Sequence, residues 1–174
     1  MVSKNLDETV RDFYQRGLID ETFIMEAVSK TLGGTCAKST EKEDVEDHID
    51  FWWDSPKKGR IPIDAKGIKK NNRGDKAFDD TIHWLELQNV KGKPGWLYGK
   101  AEYIAFRTFE RIIFVKREKL LSFALEVISG KDVVYDTPKE FYVPYKRKKW
   151  GRDDLSIKVP TSDLLERADF CIDY

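Results

Sequence analysis

Two period-two runs joined by a turn constrain this chain more than any other feature. Ile49-Asp50-Phe51-Trp52-Trp53 and Ile61-Pro62-Ile63-Asp64-Ala65-Lys66 both alternate in polarity, as strands do when successive side chains point to opposite faces. Ser55-Pro56-Lys57-Lys58-Gly59 between them has turn chemistry, so the two runs form a hairpin. Pro62 falls early in its strand, where a missing N–H costs least. Parity then sorts the side chains. His48, Asp50 and Trp52 share one face of the first strand, with Ile49, Phe51 and Trp53 behind them. On the second strand Asp64 and Lys66 share a face, opposite Ile61, Ile63 and Ala65. Each strand thus carries a carboxylate where an ordinary sheet buries an apolar side chain.

The rest of the chain reads as a mixed α/β single domain spanning 1–174, with a core at about 20–130 and a C-terminal extension at 131–174. Two helices are expected first. One runs from Asp7 to Arg16, with Val10, Phe13 and Tyr14 on one face and Gly17 as its stop. The other follows Asp20 and lines up Phe23, Ile24, Ala27, Val28 and Leu32 before Gly33-Gly34. An extended piece at Cys36–Lys38 leads to Ser39 or Thr40, either of which can cap a helical turn over 41–47. A third strand over Ile82–Val90 places Trp84, Glu86 and Gln88 on one face and His83, Leu85 and Leu87 on the other. A helical turn over Trp96–Ala101, strands at 103–107 and 111–116, and an amphipathic helix at Glu118–Ile128 follow. Edge strands at Phe141–Val143 and Leu155–Val159 and a short helix near Leu164, capped by Thr161 or Ser162, complete the reading. The fold class is α/β: a mixed central sheet with the hairpin at its heart and helices on its flanks.

Composition excludes several classes. Forty per cent of the 174 residues are hydrophobic, enough to close a core and too many for a disordered chain. No apolar run reaches the roughly 18 residues of a membrane span. Cys36 and Cys171 are too few and too distant for a disulfide framework or a zinc site, and Met1–Asp7 lacks the build of a signal peptide. The expected compartment is therefore cytoplasmic and no membrane partner is expected. The net charge is zero, but its distribution is uneven. Residues 1–50 carry six basic against twelve acidic side chains; residues 57–76 carry eight basic against two acidic. A second basic run, Lys146–Lys149, adjoins Trp150. Such blocks are ordinarily solvated faces; the carboxylates set within the first one call for explanation.

If the polar faces of the three strands coincide, Asp50, Asp64, Glu86 and Lys66 converge. Two like charges about 4 Å apart repel by roughly 4 kcal/mol at an effective dielectric near 20, and a divalent cation relieves that. Oxygen-only ligands favour Mg²⁺ or Mn²⁺ over zinc. An ion so held polarises a phosphoryl oxygen and activates water for phosphodiester hydrolysis, while an adjacent lysine offsets transition-state charge. The Asp-x-Lys triplet alone carries little weight, since about five acid-x-base triplets occur by chance in such a chain. A single aspartate here reads equally as a hairpin carboxylate bonding a turn amide. Strand placement, and a second Asp 14 residues upstream, separate the two readings.

Asp50 followed by Asp64-Ala65-Lys66 on the next strand of a hairpin resembles the PD-(D/E)XK nuclease superfamily, with a spacing similar to that of archaeal Holliday-junction resolvases. Longer stretches resemble a set of bacteriophage proteins associated with that superfamily. These are Ala37–Asp44 through His48–Trp52, Ile63–Lys70, Trp84–Val90 and Gly95–Phe106, together covering roughly residues 35–118. The resemblance implies a restriction-endonuclease-like fold and a divalent-metal-dependent DNA endonuclease of phage type working in the host cytoplasm, with structure-specific cutting as one form of that activity. It implies Asp50, Asp64 and the Ala65 carbonyl as ligands of Mg²⁺ or Mn²⁺ and Lys66 as the catalytic lysine. For the superfamily's helical acid, Glu21 at the edge of its apolar stripe fits better than Glu26 opposite it; Glu43 and Asp44 are alternatives. Asp64 stands where Glu is commoner. Glu86 and Gln88 are expected on an added strand beside the lysine as accessory catalytic groups. Lys69, Lys70, Lys91, Lys93 and Lys100 flank the carboxylate strands as candidate phosphate contacts. Symmetric cutting of two strands would require a homodimer. The other readings are a nuclease-fold module that binds nucleic acid or protein without catalysis, and an RNA-directed nuclease. His48 and His83 are expected to be structural, Trp96 a core residue.

Overall fold

The computed structural model describes residues 3–70, 77–146 and 151–174, with side chains from Gln15 onward. The apolar face expected of Val10, Phe13 and Tyr14, the cations Arg73 and Lys76, and the block Arg147–Trp150 lie outside the described side chains.

A single 30-residue helix, α1 (Ser3–Leu32), replaces the two expected ones. Gly17 does not stop it. Glycine in a helix interior costs about 1 kcal/mol relative to alanine, which lowers a helix's stability without ending it, and Gly17 lacks the left-handed backbone of a C-terminal stop. That conformation occurs at Gly33 and Gly34, where the helix does end.

Strand β1 (Thr35–Lys38), a π-helical turn (Glu43–Asp47), and the hairpin strands β2 (Phe51–Ser55) and β3 (Gly59–Lys66) follow. The hairpin is antiparallel with Phe51 opposite Ile63 and Ser55 opposite Gly59. Strand β4 (Ile82–Gln88), a 3-10 turn (Trp96–Tyr98), β5 (Tyr103–Arg107), β6 (Arg111–Lys116) and α2 (Arg117–Ile128) come next. The chain ends in β7 (Tyr145–Lys146), β8 (Leu155–Pro160), α3 (Thr161–Arg167) and β9 (Phe170–Asp173).

These strands form two sheets. The six-stranded sheet has the order β1-β2-β3-β5-β6-β9 and is mixed, because β3 and β5 run parallel while the other pairs are antiparallel. On one face α1 lays Ile24 and Val28 against Phe51, Trp53, Ile61, Ile63, Tyr103 and Phe114. The opposite face presents Ile104, Phe106, Ile113 and Val115 to α2, α3 and a second sheet. That second, three-stranded sheet has the order β4-β8-β7. The fold is thus mixed α/β around a mixed central sheet flanked by helices.

Three expectations about strands are corrected. β4 does not add beside β3; β5 takes that place, with Asp64 opposite Ile104 and Lys66 opposite Phe106. The reason is burial: Tyr103 to Phe106 are all buried, and such a continuous run suits a strand covered on both faces, whereas β4 alternates. β8 is the middle strand of its sheet and not an edge. Phe141–Val143 is no strand. Tyr142 has φ +60°, in the left-handed region, which interrupts extended backbone, and pairing resumes at Tyr145. The segment 131–174 supplies β8, whose Ile157 and Val159 are in the core, and β9, paired to β6. α3 carries no side-chain cap; the Thr161 hydroxyl donates to the Asp80 carbonyl instead. No helix among the described residues is long and apolar enough to cross a membrane.

Candidate functional site

The carboxyl end of β3 is the chemically unusual point of the fold. Strand alternation turns Asp64 and Lys66 to the same face, as parity requires, and the Lys66 ammonium donates to Asp64 Oδ1. Asp64 is 1% exposed, and its Oδ2 is buried without a hydrogen-bond partner. The Asp50 carboxylate lies within hydrogen-bonding reach. Two ionised carboxylates cannot bond to each other, because both only accept. Burial first, then the Asp50 charge, push the Asp64 carboxyl well above its usual range, against the pull of Lys66. Burial draws the Lys66 ammonium down, but Asp64, Asp50 and Glu86 outweigh it and the pKa is raised. The ammonium also sits 4.9 Å from the centroid of the Trp96 ring.

Asp50 immediately precedes β2. Its backbone N–H donates to the Ile63 carbonyl at 3.0 Å, and its Oδ2 accepts the Ala65 N–H at 2.6 Å. The hairpin register therefore fixes the two aspartates relative to each other through the residue between Asp64 and Lys66. In a strand the N–H and C=O of one residue point to the same side, so the Ala65 carbonyl is turned toward Asp50 as well.

A further acid comes from α1. Glu21 is paired with Lys38 at 3.3 Å, and burial, then the Asp50 charge, raise its pKa against that cation. Asp44, on the π-helical turn, is raised by partial shielding from water and by Asp50. Glu43 does something else: it accepts the Thr40 N–H at 2.8 Å, the Thr40 hydroxyl at 2.9 Å and the Trp52 indole N–H at 3.2 Å. With the Glu43 N–H donating back to the Thr40 hydroxyl, this is a capping box, and it occupies Glu43 structurally.

Two glycines let these parts approach. A Cβ on Gly67 would stand 1.8 Å from Asp20 Oδ2, so only glycine admits the Asp20 carboxylate, which pairs with Arg107 at 2.6 Å and docks α1 on the ends of β3 and β5. A Cβ on Gly95 would lie 2.6 Å from the Glu86 carbonyl, so glycine is what brings the Trp96 turn against β4.

Glu86 reaches the site from the second sheet, not from a strand beside β3. It lines a cavity together with Lys66, and burial raises its pKa against the pull of Lys66. Gln88 lies elsewhere: its amide donates to the Asp153 carbonyl, and it lines a different groove beside Gly92 and Leu155. The expected pair of accessory groups is therefore split by a bulge between Glu86 and Gln88. Among the candidate phosphate contacts, Lys69 lines the cavity with Lys66, and Lys70 lies 5.6 Å from the Phe78 ring centroid. Lys91 and Lys93 are exposed on a turn closed by Asn89, whose Oδ1 accepts both their N–H groups. Lys100 is paired with Asp47 at 2.8 Å.

Sequence reading did not find Lys38 as the partner of Glu21, the Trp96 ring under Lys66, or Asp20 against Gly67. Only Gly67 carried a signal, since a glycine directly after a strand marks a close backbone approach. Among the described residues no three His, Cys, Asp or Glu side chains cluster closely enough to enclose a metal ion by themselves. Two facing carboxylates with an unpartnered buried oxygen do fit a magnesium-like ion, which keeps several waters and binds through one or two carboxylates. Comparison with protein-family models, with curated proteins and with solved structures gives no match.

Proposed function

We propose that this chain is a divalent-metal-dependent nuclease that hydrolyses phosphodiester bonds in DNA, on a restriction-endonuclease-like core. The observation that carries the reading is Asp64: a buried carboxylate with an unpartnered Oδ2, facing a second carboxylate and sharing its strand face with a lysine. Such a pair stays together only if a proton or a cation offsets the repulsion.

Asp50, Asp64 and the carbonyl of Ala65 would hold Mg²⁺ or Mn²⁺, with water in the remaining positions. When bound, that ion polarises a phosphoryl oxygen and lowers the pKa of a coordinated water. Lys66 is held between Asp64 and the Trp96 ring, where its ammonium orients the attacking water and offsets charge on the pentavalent phosphorus. Glu21, restrained by Lys38, interacts with the Asp50 charge and reinforces the negative field. Cutting both strands of a symmetric substrate calls for a homodimer.

Calorimetric Mn²⁺ titration beside plasmid and branched-DNA cleavage tests the reading. Wild type binds Mn²⁺ and cleaves; Asp64→Asn loses both. A wild-type chain that binds no metal and cuts no DNA or RNA would instead be a nucleic-acid- or protein-binding module on this fold, and cleavage confined to RNA would make RNA the substrate.

A further inference from the structure

A cavity of about 300 Å³ opens beside Lys66, between the end of β3 and strands β4 and β8 of the second sheet. Trp84, Trp96, Phe106 and His83 supply aromatic walls, and Lys69, Glu86 and Ser156 supply polar groups. Its volume lies at the lower end of small-ligand sites, too small for a duplex and suited to one planar ring. His83 is 4% exposed and stacks edge-on to Phe106 at 5.0 Å, and its Nε2 is buried without a hydrogen-bond partner. Burial also holds its imidazole neutral at ordinary pH, with a pKa lowered to about 4, so the ring keeps one donor and one acceptor. An aromatic box with unspent hydrogen-bonding capacity is what a heteroaromatic base needs.

The position of the cavity matters as much as its chemistry. Lys66 belongs both to the acid pair and to the cavity wall, so whatever fills the cavity lies within one lysine side chain of whatever meets the acids. We propose that the cavity receives the unstacked base of the nucleotide next to the scissile phosphate, making the substrate DNA that is unpaired at the cut: a single strand, flap or branch. This rests on the nuclease reading for the meaning of the neighbouring site, but the binding it invokes is measurable without cleavage. A base inside a duplex is stacked and cannot enter; an unpaired one enters without the cost of extrusion.

Ser156 faces Glu86 across the β4–β8 register, and Ser156→Leu fills the cavity from its far strand while leaving Asp50, Asp64 and Lys66 unsubstituted. Fluorescence anisotropy in EDTA, with a labelled single-stranded oligonucleotide and its matched duplex, gives the affinities. Wild type should favour the single strand by about tenfold or more, the scale of one aromatic-stacked base, and Ser156→Leu should abolish that preference. Trp84→Ala, which removes a half-buried wall tilted against Tyr145, should act in the same direction should the leucine variant misfold. Equal wild-type affinity for both DNAs, or a preference that survives a folded cavity variant, overturns the proposal even if the protein cuts DNA. A preference that is present and cavity-dependent, without metal-dependent cleavage, supports the pocket and rejects the nuclease.

Discussion

Asp50 Oδ2 accepts the backbone N–H of Ala65 at 2.6 Å, so a candidate metal ligand also fastens the hairpin. The two roles separate by substitution. Asparagine keeps an acceptor for the Ala65 N–H and removes the charge; alanine removes both. Asp50→Ala should therefore lose about 1–3 kcal/mol of stability, the cost of a stranded buried donor, while Asp50→Asn stays close to wild type. Both should lose Mn²⁺ affinity. Urea unfolding and calorimetric titration of the two variants check this. Equal destabilisation by both would show that the charge, not the hydrogen bond, holds the strand end.

Lys66→Ala tests the lysine as a stabiliser that does not ligate metal. Removing a cation next to the acid pair should leave Mn²⁺ binding intact or tighten it. Cleavage should drop on the order of 10²-fold or more, as when one electrostatic stabiliser is lost. Wild-type cleavage in this variant would remove Lys66 from the site.

The close approach of Gly67 and Asp20 predicts coupled substitutions. A Cβ at Gly67 must displace the Asp20 carboxylate and with it the ion pair to Arg107. Overpacking of this kind costs about 1–3 kcal/mol. Gly67→Ala combined with Asp20→Ala should be less destabilised than the two single changes added together. Strict additivity in chemical denaturation would show that the contact is relaxed elsewhere.

His83 makes stability sensitive to acid. Burial lowers its folded pKa to about 4 from an ordinary 6.5, so the folded state binds fewer protons than the unfolded chain between those values. The associated stability is complete above pH 6.5 and is lost as pH falls toward 4. Between pH 7 and 5 the loss should be about 2 kcal/mol, at 1.36 kcal/mol per unit. His83→Phe keeps an aromatic ring beside Phe106 and cannot titrate, so its stability should fall by about that much less over the same range. Parallel pH profiles for wild type and variant would contradict this.

Much of the local structure is written in short-range pattern. The hairpin of Phe51–Ser55 and Gly59–Lys66 follows from period-two alternation around a Pro-Lys-Lys-Gly turn, and that alternation alone puts Asp64 and Lys66 on one face. Thr40 is legible as a helix cap, but Glu43, which the sequence leaves as an alternative acid, is committed to the Thr40 capping box only by the folded structure. β5 and β6 run over the same residues, 103–107 and 111–116, that the sequence indicates as strands.

Tertiary structure decided what those pieces meet. Strand faces are a property of one chain segment, but strand neighbours depend on which buried surfaces compete for the same edge. β5, apolar on both faces, displaced β4 from the edge of β3, so Glu86 reaches Lys66 from a second sheet and Gln88 does not reach it at all. Glu21 is set beside Asp50 by an uninterrupted α1 anchored through Asp20 and Arg107, contacts spanning 87 residues of sequence. Periodicity reports how a residue lies on its own element. The long-range packing that gathers Asp50, Asp64 and Glu86 around Lys66, and sets Glu21 near Asp50, arises only when the buried faces of separate elements choose their partners.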